Sequence, residues 1–600
     1  MHLERTVTLH GLFTISLQER FMIPTSMEFL GLLSLALLHA PSPAAPELHN
    51  HAALLQEVQK LATDYPNQIQ SLAIGDARSG RKIPGLRIAA SQKGQPAQPA
   101  ILLVAGLDAS RAYTSSMALD HARQLAEGFN QSKQITELLQ STTVYIIPRL
   151  DVDAGERRFQ APLLEDSASG FGVDNDRDGS QGEDGPLDIN GDGFISVMRQ
   201  VHREGEWVED ATDPRVLRKR DAGKAELGKW RLLPEGLDSD GDEKVAEDAA
   251  LDAIVNRNFP RNWTEHSAQA GRYPTHEPSS LALVEFLLQH RDIALVVTYG
   301  DEFNLAEKPA SQKDEPSGSR GSVTTGIYES DLASYEELGR RYRELTENKT
   351  PAAGEEPGSL QGFAYHHRGL LTLNIDPWSV PLDAKSETSE TEEEGAEKET
   401  EQESEKSKTK EPSKAKDEPK PTDDAKRMLW FDQNSVEARL PWTAFNHPQL
   451  GPVEIGGFKP YALVEPPADL RAEITRKHFE FFTSLAGILP RLRLVDVEGK
   501  ALGDGLVEVK AVLFNDALLP QQTRAAQRSG AVRPARVNLV LPSGTQLMGG
   551  NSQQLVDDLE ALGGRRELRW LVAGYAGRGA IRIEVSTDNA GSASVQVEVK

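Results

Sequence analysis

The chain has 600 residues, a formal net charge of -25 at pH 7 and no cysteine. At roughly 100–200 residues per domain, this length accommodates several domains and at least one large core. The missing cysteines exclude disulfide frameworks, thiolate metal sites and thiol nucleophiles, and the acidic balance argues against nucleic acid or an anionic membrane, both of which select clustered Lys and Arg.

In chain order, residues 1–46 read as an N-terminal extension and signal peptide. "MEFLGLLSLALLHAPSPAAP" (Met27–Pro46) has an apolar centre from Phe29 to Leu38, followed by small residues and prolines. That centre is too short to span a bilayer and has the length of a signal-peptide core, with cleavage expected near Ala44 or Ala45. The expectation is an exported protein (periplasmic, cell-surface or extracellular) with no membrane span in the mature chain.

Residues 47–385 alternate apolar strands with amphipathic helices. "ILLVA" (101–105), "VYIIP" (144–148), "IALVVTYG" (293–300) and "LLTLNI" (370–375) are near-continuous apolar runs, as strands buried on both faces are. Helical spacing occurs over Met117–Phe129, Leu281–His290 and Leu332–Leu345. The predicted fold class is α/β, with a mixed, mostly parallel sheet whose ligands collect at the carboxyl ends of the strands. The first of those ends carries Asp108 and, three residues on, Arg111, an anion and a cation at the mouth of a buried strand.

Within this domain, "DNDRDGSQGEDGPLDINGDGFI" (174–195) holds two runs of the form Asp-x-Asp/Asn-x-Asp-Gly. Oxygen donors alternate at Asp174, Asp176 and Asp178, and again at Asp188, Asn190 and Asp192, the spacing that calcium loops use. Ile195 falls at the anchoring hydrophobic position, but Arg199 stands where an EF-hand has its bidentate Glu. A weaker third run is Asp238, Asp240 and Asp242. Calcium in these loops is weighed against plain polar turns.

Residues 386–426, rich in Glu, Lys, Ser, Thr and Pro, read as a disordered acidic insertion, because they lack the apolar surface that offsets ordering entropy. Residues 427–490 complete the interrupted domain. Residues 491–600 alternate short strands with Gly, Asn and Pro turns, which predicts an antiparallel β-sandwich acting as a packing or adhesion module.

Five ordered segments resemble the zinc carboxypeptidases typified by carboxypeptidases A and B. They are "YIIPRLDVDAGERR" (145–158), "VNRNFPRNW" (255–263), "THEPSSLALVEFLLQHRDIALVVTYG" (275–300), "GLLTLNIDPW" (369–378) and "HPQLGPVEIGGF" (447–458). The resemblance implies the carboxypeptidase-like α/β/α fold, a zinc ion and removal of C-terminal residues from peptides. It also implies where the zinc ligands His, Glu and His would stand, and this chain has Asp108, Arg111 and Gly300 there. The family's catalytic Glu matches Asp376, whose carboxylate is one methylene shorter, and the pair holding the substrate carboxylate matches Asn256 and Arg257. Arg111 has no lone pair and Gly300 no side chain, which leaves Asp108, with Asp301 as a distant second, to hold a metal.

The expected protein is therefore a non-hydrolytic relative of the family that binds peptide or cell-surface C-termini, without its zinc. Two alternatives stay open. One is an active metallocarboxypeptidase with ligands elsewhere, although His121, "HREGE" (202–206), "TEHS" (264–267) and "YHHRG" (365–369) lack ligand spacing. The other is a structural or adhesive protein using the β-sandwich and the calcium loops.

Overall fold

The computed structural model describes residues 46–90, 98–169, 185–239, 241, 243–246, 253–267, 269–313, 326–382, 420–557 and 559–600. The expected signal segment, most of the acidic insertion, and Asp174, Asp176, Asp178, Asp240 and Asp242 lie outside the described residues.

After helix α1 (His51–Asp64), strands β1 (Ile69–Asp76) and β2 (Lys82–Ile88) form an antiparallel pair. Strand β3 (Ala100–Val104), helix α2 (Tyr113–Gly128), helix α3 (Lys133–Ser141) and strand β4 (Thr143–Ile147) follow. Later come helix α4 (Pro278–Gln289), strand β5 (Ile293–Tyr299), helix α5 (Leu332–Thr346) and strand β6 (Leu371–Ile375). These strands form one six-stranded sheet in the order β1-β2-β4-β3-β5-β6. Only β2 runs against its neighbours, so the sheet is mixed and mostly parallel, as the apolar runs predict.

Successive residues of β3 explain why the run is apolar throughout. Ile101 and Leu103 join one buried cluster, and Leu102 and Val104 join another on the opposite face. Helices cover both faces, and the parallel arrangement delivers the ends of β3, β5 and β6 to one edge.

A second six-stranded sheet, wholly antiparallel, is not apparent in the sequence. It combines Val197–Val201, Trp207–Glu209, Leu217–Lys219 and Trp230–Pro234 with a hairpin of Arg439–His447 and Gly451–Phe458. Several of its strands are too short for a periodic signal, and the two halves are separated by more than two hundred residues of sequence. The expectation of disorder through residue 426 is corrected here. Helix α6 (Asp423–Gln433) begins inside that stretch, capped by the Thr422 side chain, which accepts from the Ala425 amide. Its first turn holds Asp423 and Asp424, and Ala425, Met428 and Phe431 are buried.

Helix α7 (Ala468–Ser484) precedes two four-stranded antiparallel sheets that begin at Leu492. Between them lies a separate core that includes Val509, Leu513, Val537, Trp570 and Ile583. A connection in this region docks on the larger domain. Ala526 lies against Gly369, where an added Cβ would sit 2.3 Å from the Ala526 Cα. Thr523 Oγ1 donates to the Gly369 carbonyl at 2.8 Å, and the Arg524 amide donates to Asp331. Leu519 and Ala525 are members of the large domain's own core.

Candidate functional site

The chain turns sharply after β3. Gly106 has φ 55°, and a Cβ there would lie 2.9 Å from the Arg149 Cα and from Ser115 Oγ, so only glycine fits. The turn is held by the Leu150 amide donating to the Ala105 carbonyl and the Asp151 amide donating to the Gly106 carbonyl. It delivers Asp108 and Arg111 to the sheet edge, where Asp376 follows β6 and Gly300 follows β5.

Three of the expected positions meet in a buried ion network. Arg111 Nε and Nη2 donate to the two oxygens of Asp376 at 3.1 and 2.8 Å, a bidentate pair. Arg111 Nη1 donates to Asp108 Oδ2. Asp108 also accepts from the Ser110 amide at 3.0 Å, the Ser110 hydroxyl at 2.8 Å and the Ser167 hydroxyl at 2.7 Å. Asp108, Arg111 and Asp376 are exposed by 5%, 9% and 4%. Charges this deep persist only when paired.

Two carboxylates share one guanidinium, and their surroundings separate them. Burial pushes the Asp108 carboxyl up, but Arg111 and the Ser167 and Ser110 hydrogen bonds outweigh it and hold the group below its ordinary range. Asp376 is raised, because burial exceeds what Arg111 and the weaker Trp378 amide return. Arg111 loses to burial and gains more from Asp376 and Asp108, so it stays charged.

The second pair of expected residues lies nearby. Asn256 is buried, and its Oδ1 accepts from the Leu360 amide at 3.0 Å, which fixes the turn that carries Arg257. Arg257 Nη2 meets Asp301 Oδ2 at 3.1 Å, and Nη1 stands 4.0 Å from Glu302. Asp301 is thus a partner of Arg257 rather than a metal ligand. Burial first, and the Asp301 charge second, push the Glu302 carboxyl up to about 8. Glu302 also accepts from Asn374, which in turn accepts from Thr298 Oγ1. Sequence reasoning missed Glu302, Asn374, Ser110 and Ser167. Their only signal was the acidic Asp-Glu dipeptide directly after Gly300.

The residues at the implied zinc positions do not fit zinc, which takes lone-pair donors and an open place for water. A guanidinium occupies the space between the two carboxylates, and Gly300 presents backbone only. Among the described residues no group of three or more His, Asp or Glu side chains is arranged to hold a metal ion. In the loop where the sequence suggests calcium, Asp188 accepts from the amides of Gly191, Asp192 and Gly193, and Asp192 from that of Phe194. Asn190 Nδ2 donates to Asp192 at 3.1 Å, and Ile195 is buried. Among the described residues no helix is long and apolar enough to cross a membrane.

Comparison with known proteins places two family matches on the chain: zinc carboxypeptidase over residues 54–182 and a domain of unknown function over residues 491–598. The first includes Asp108 and Arg111 and ends before Asn256, Arg257, Gly300 and Asp376. A zinc carboxypeptidase of Saccharothrix mutabilis subsp. capreolus is 25% identical over 108 residues, 18% of this chain and 25% of that protein. An inactive metallocarboxypeptidase of Ajellomyces capsulatus (strain H143) is 25% identical over 170 residues, 26% of this chain and 28% of that protein. The chain spans about a quarter of the length of these curated relatives. The crystal structure of carboxypeptidase A from Helicoverpa armigera aligns at TM-score 0.34 and 15% identity, covering 60% of this chain and 73% of that one.

Proposed function

Starting from a chain whose residues 54–182 carry a zinc carboxypeptidase domain, we propose an exported, non-hydrolytic member of that family that binds peptide C-termini. The observation that carries this reading is the simultaneous engagement of Arg111 by Asp108 and Asp376. A cation fills the place where a metal would polarise water, and the shortened carboxylate expected to act as base is tied to that cation. Without a positioned hydroxide, peptide hydrolysis has no nucleophile here. The inactive relative supports the same direction.

Binding is assigned to Arg257. Its side chain is 18% exposed and Asp301 opposite is 29% exposed, so the pair reaches solvent. An incoming terminal carboxylate exchanges with the Asp301 carboxylate, one charged partner replacing another, which limits the affinity. Calcium at Asp188, Asn190 and Asp192 belongs to this reading as a structural aid.

The test is metal content together with peptide chemistry. Purified protein is expected to carry no stoichiometric zinc and to leave a panel of C-terminal residues uncleaved, while binding free-acid peptides better than their amides. Stoichiometric zinc, or cleavage blocked by a chelator, rejects the proposal in favour of an active metallocarboxypeptidase. Loss of the acid-over-amide preference with no zinc leaves the structural or adhesive reading.

A further inference from the structure

The second antiparallel sheet carries a cavity of about 280 Å³, remote in sequence from the Arg111 and Arg257 sites. Its walls include Trp207, Trp442, Leu232, Phe458 and Met428 of α6. The walls are set before any ligand arrives. The Trp442 indole N–H donates to the Arg215 carbonyl at 3.1 Å, and the Arg199 guanidinium lies 4.3 Å from the Trp442 ring centre. Lys219 stands over the Trp207 ring at 5.7 Å. Gly457, at φ 116°, leaves part of the wall low, since a Cβ there would press on Val197 at 3.1 Å. A preformed aromatic cavity with few polar groups is the usual shape of a small-molecule site.

The charges around it are unequal. Arg215 is committed to Asp213 and Asp432, and Asp424 to Arg427. Arg439, half-buried at the start of its strand, lines the same cavity and pairs with no carboxylate among the described residues. One unmatched guanidinium beside indole and phenyl rings suits a monoanion with an apolar body. Asp424 in the same wall disfavours a dianion such as phosphate.

We propose that this cavity binds a small aromatic or aliphatic monocarboxylate, its body against Trp207 and Trp442 and its carboxylate on Arg439. The shared chemistry is a carboxylate one or two carbons from an apolar group, which a free acid or the last residue of a peptide can supply.

The experiment titrates the full chain with 3-phenylpropionate, its amide and N-acetyl-glycyl-phenylalanine, followed by calorimetry and tryptophan fluorescence. For so small a probe the expected dissociation constant is on the order of 1 mM. The acid is expected to bind about 10-fold better than the amide. That preference should disappear in Arg439→Gln and survive in Arg257→Gln, which separates this cavity from the site proposed above. Leu232→Trp, which fills the space, should abolish binding while melting stays cooperative. Binding of the free acid alone assigns a metabolite-like ligand, and equal binding of the dipeptide assigns a peptide terminus. The proposal is overturned if no probe binds, if amide and acid bind alike, or if Arg439→Gln binds as the parent does.

Discussion

Two arginines stand at one edge of the central sheet, and their surroundings differ. Arg111 is nearly buried and gripped by two carboxylates, one of them bidentately. Arg257 reaches solvent, with Asp301 at 3.1 Å, Glu302 at 4.0 Å and the Asn256 carbonyl at 2.9 Å as its partners. The difference teaches that similar ion pairs serve opposite ends. A buried guanidinium with matched partners is structure, because removing it strands charge in a poor dielectric. A guanidinium at the rim whose nearest carboxylate is part-exposed can still be a receptor for another anion.

The strongest way to break this comparison is to rebuild the metal site. D108H/R111E/G300H restores the family's donor set, and the open space at Gly300, whose nearest neighbour for a Cβ is Leu107 at 4.0 Å, admits the new side chain. Stoichiometric zinc by elemental analysis, with a melting temperature that rises on zinc addition, is expected. A folded triple variant that ignores zinc would show that Arg111 does not stand in the former metal position.

Arg111→Met comes next. It leaves Asp108 and Asp376 buried without a cation, at a cost of about 3–5 kcal/mol at pH 7 by denaturant unfolding. The loss should shrink at acid pH, where the stranded carboxylates take up protons. An equal loss at both pH values would mean that packing, rather than charge, is what Arg111 supplies.

A third buried carboxylate, Asp151, which follows β4, sharpens the contrast, because it forms no salt bridge among the described residues. Burial raises Asp151 to about 7, the Ala154 amide offsets part of this, and Glu277 adds to it. The folded chain therefore keeps a proton that the unfolded chain, with the ordinary carboxyl value of 3.8, has released. That contribution to stability is complete below the unfolded value and is lost as pH rises through about 7. Asp151→Asn should gain about 1–3 kcal/mol at pH 8 and change little at pH 4. No pH-dependent gain would argue that Asp151 is solvated or paired.

The smallest effect concerns the rim. Asp301→Asn removes the carboxylate nearest Arg257, and affinity for a free-acid peptide should rise about 3- to 10-fold by fluorescence titration, with no change for the amide. Unchanged affinity would leave Arg257 as a structural cation like Arg111.

The central sheet could be read from the sequence because its strands are buried on both faces, which makes "ILLVA" and "IALVVTYG" continuous apolar runs. The second sheet could not, since strands such as Trp207–Glu209 and Leu217–Lys219 are three residues long and owe their pairing to distant chain. At the site, Asp108 and Arg111 were visible as a pair three apart. Their meeting with Asp376, 265 residues beyond Arg111, is a product of parallel strand order that no local spacing encodes. Asp301 was visible beside Gly300, but its pairing with Arg257, 44 residues away in the chain, appears only in the folded chain.

The seam at Gly369 has a consequence for the whole molecule. With Ala526 seated against a bare backbone and Leu519 and Ala525 contributing to the larger core, the C-terminal sheets are not a detachable tail. Calorimetry should record one melting event for both parts, and a chain cut after Pro490 should leave an open wound of apolar surface that aggregates instead of a smaller working protein.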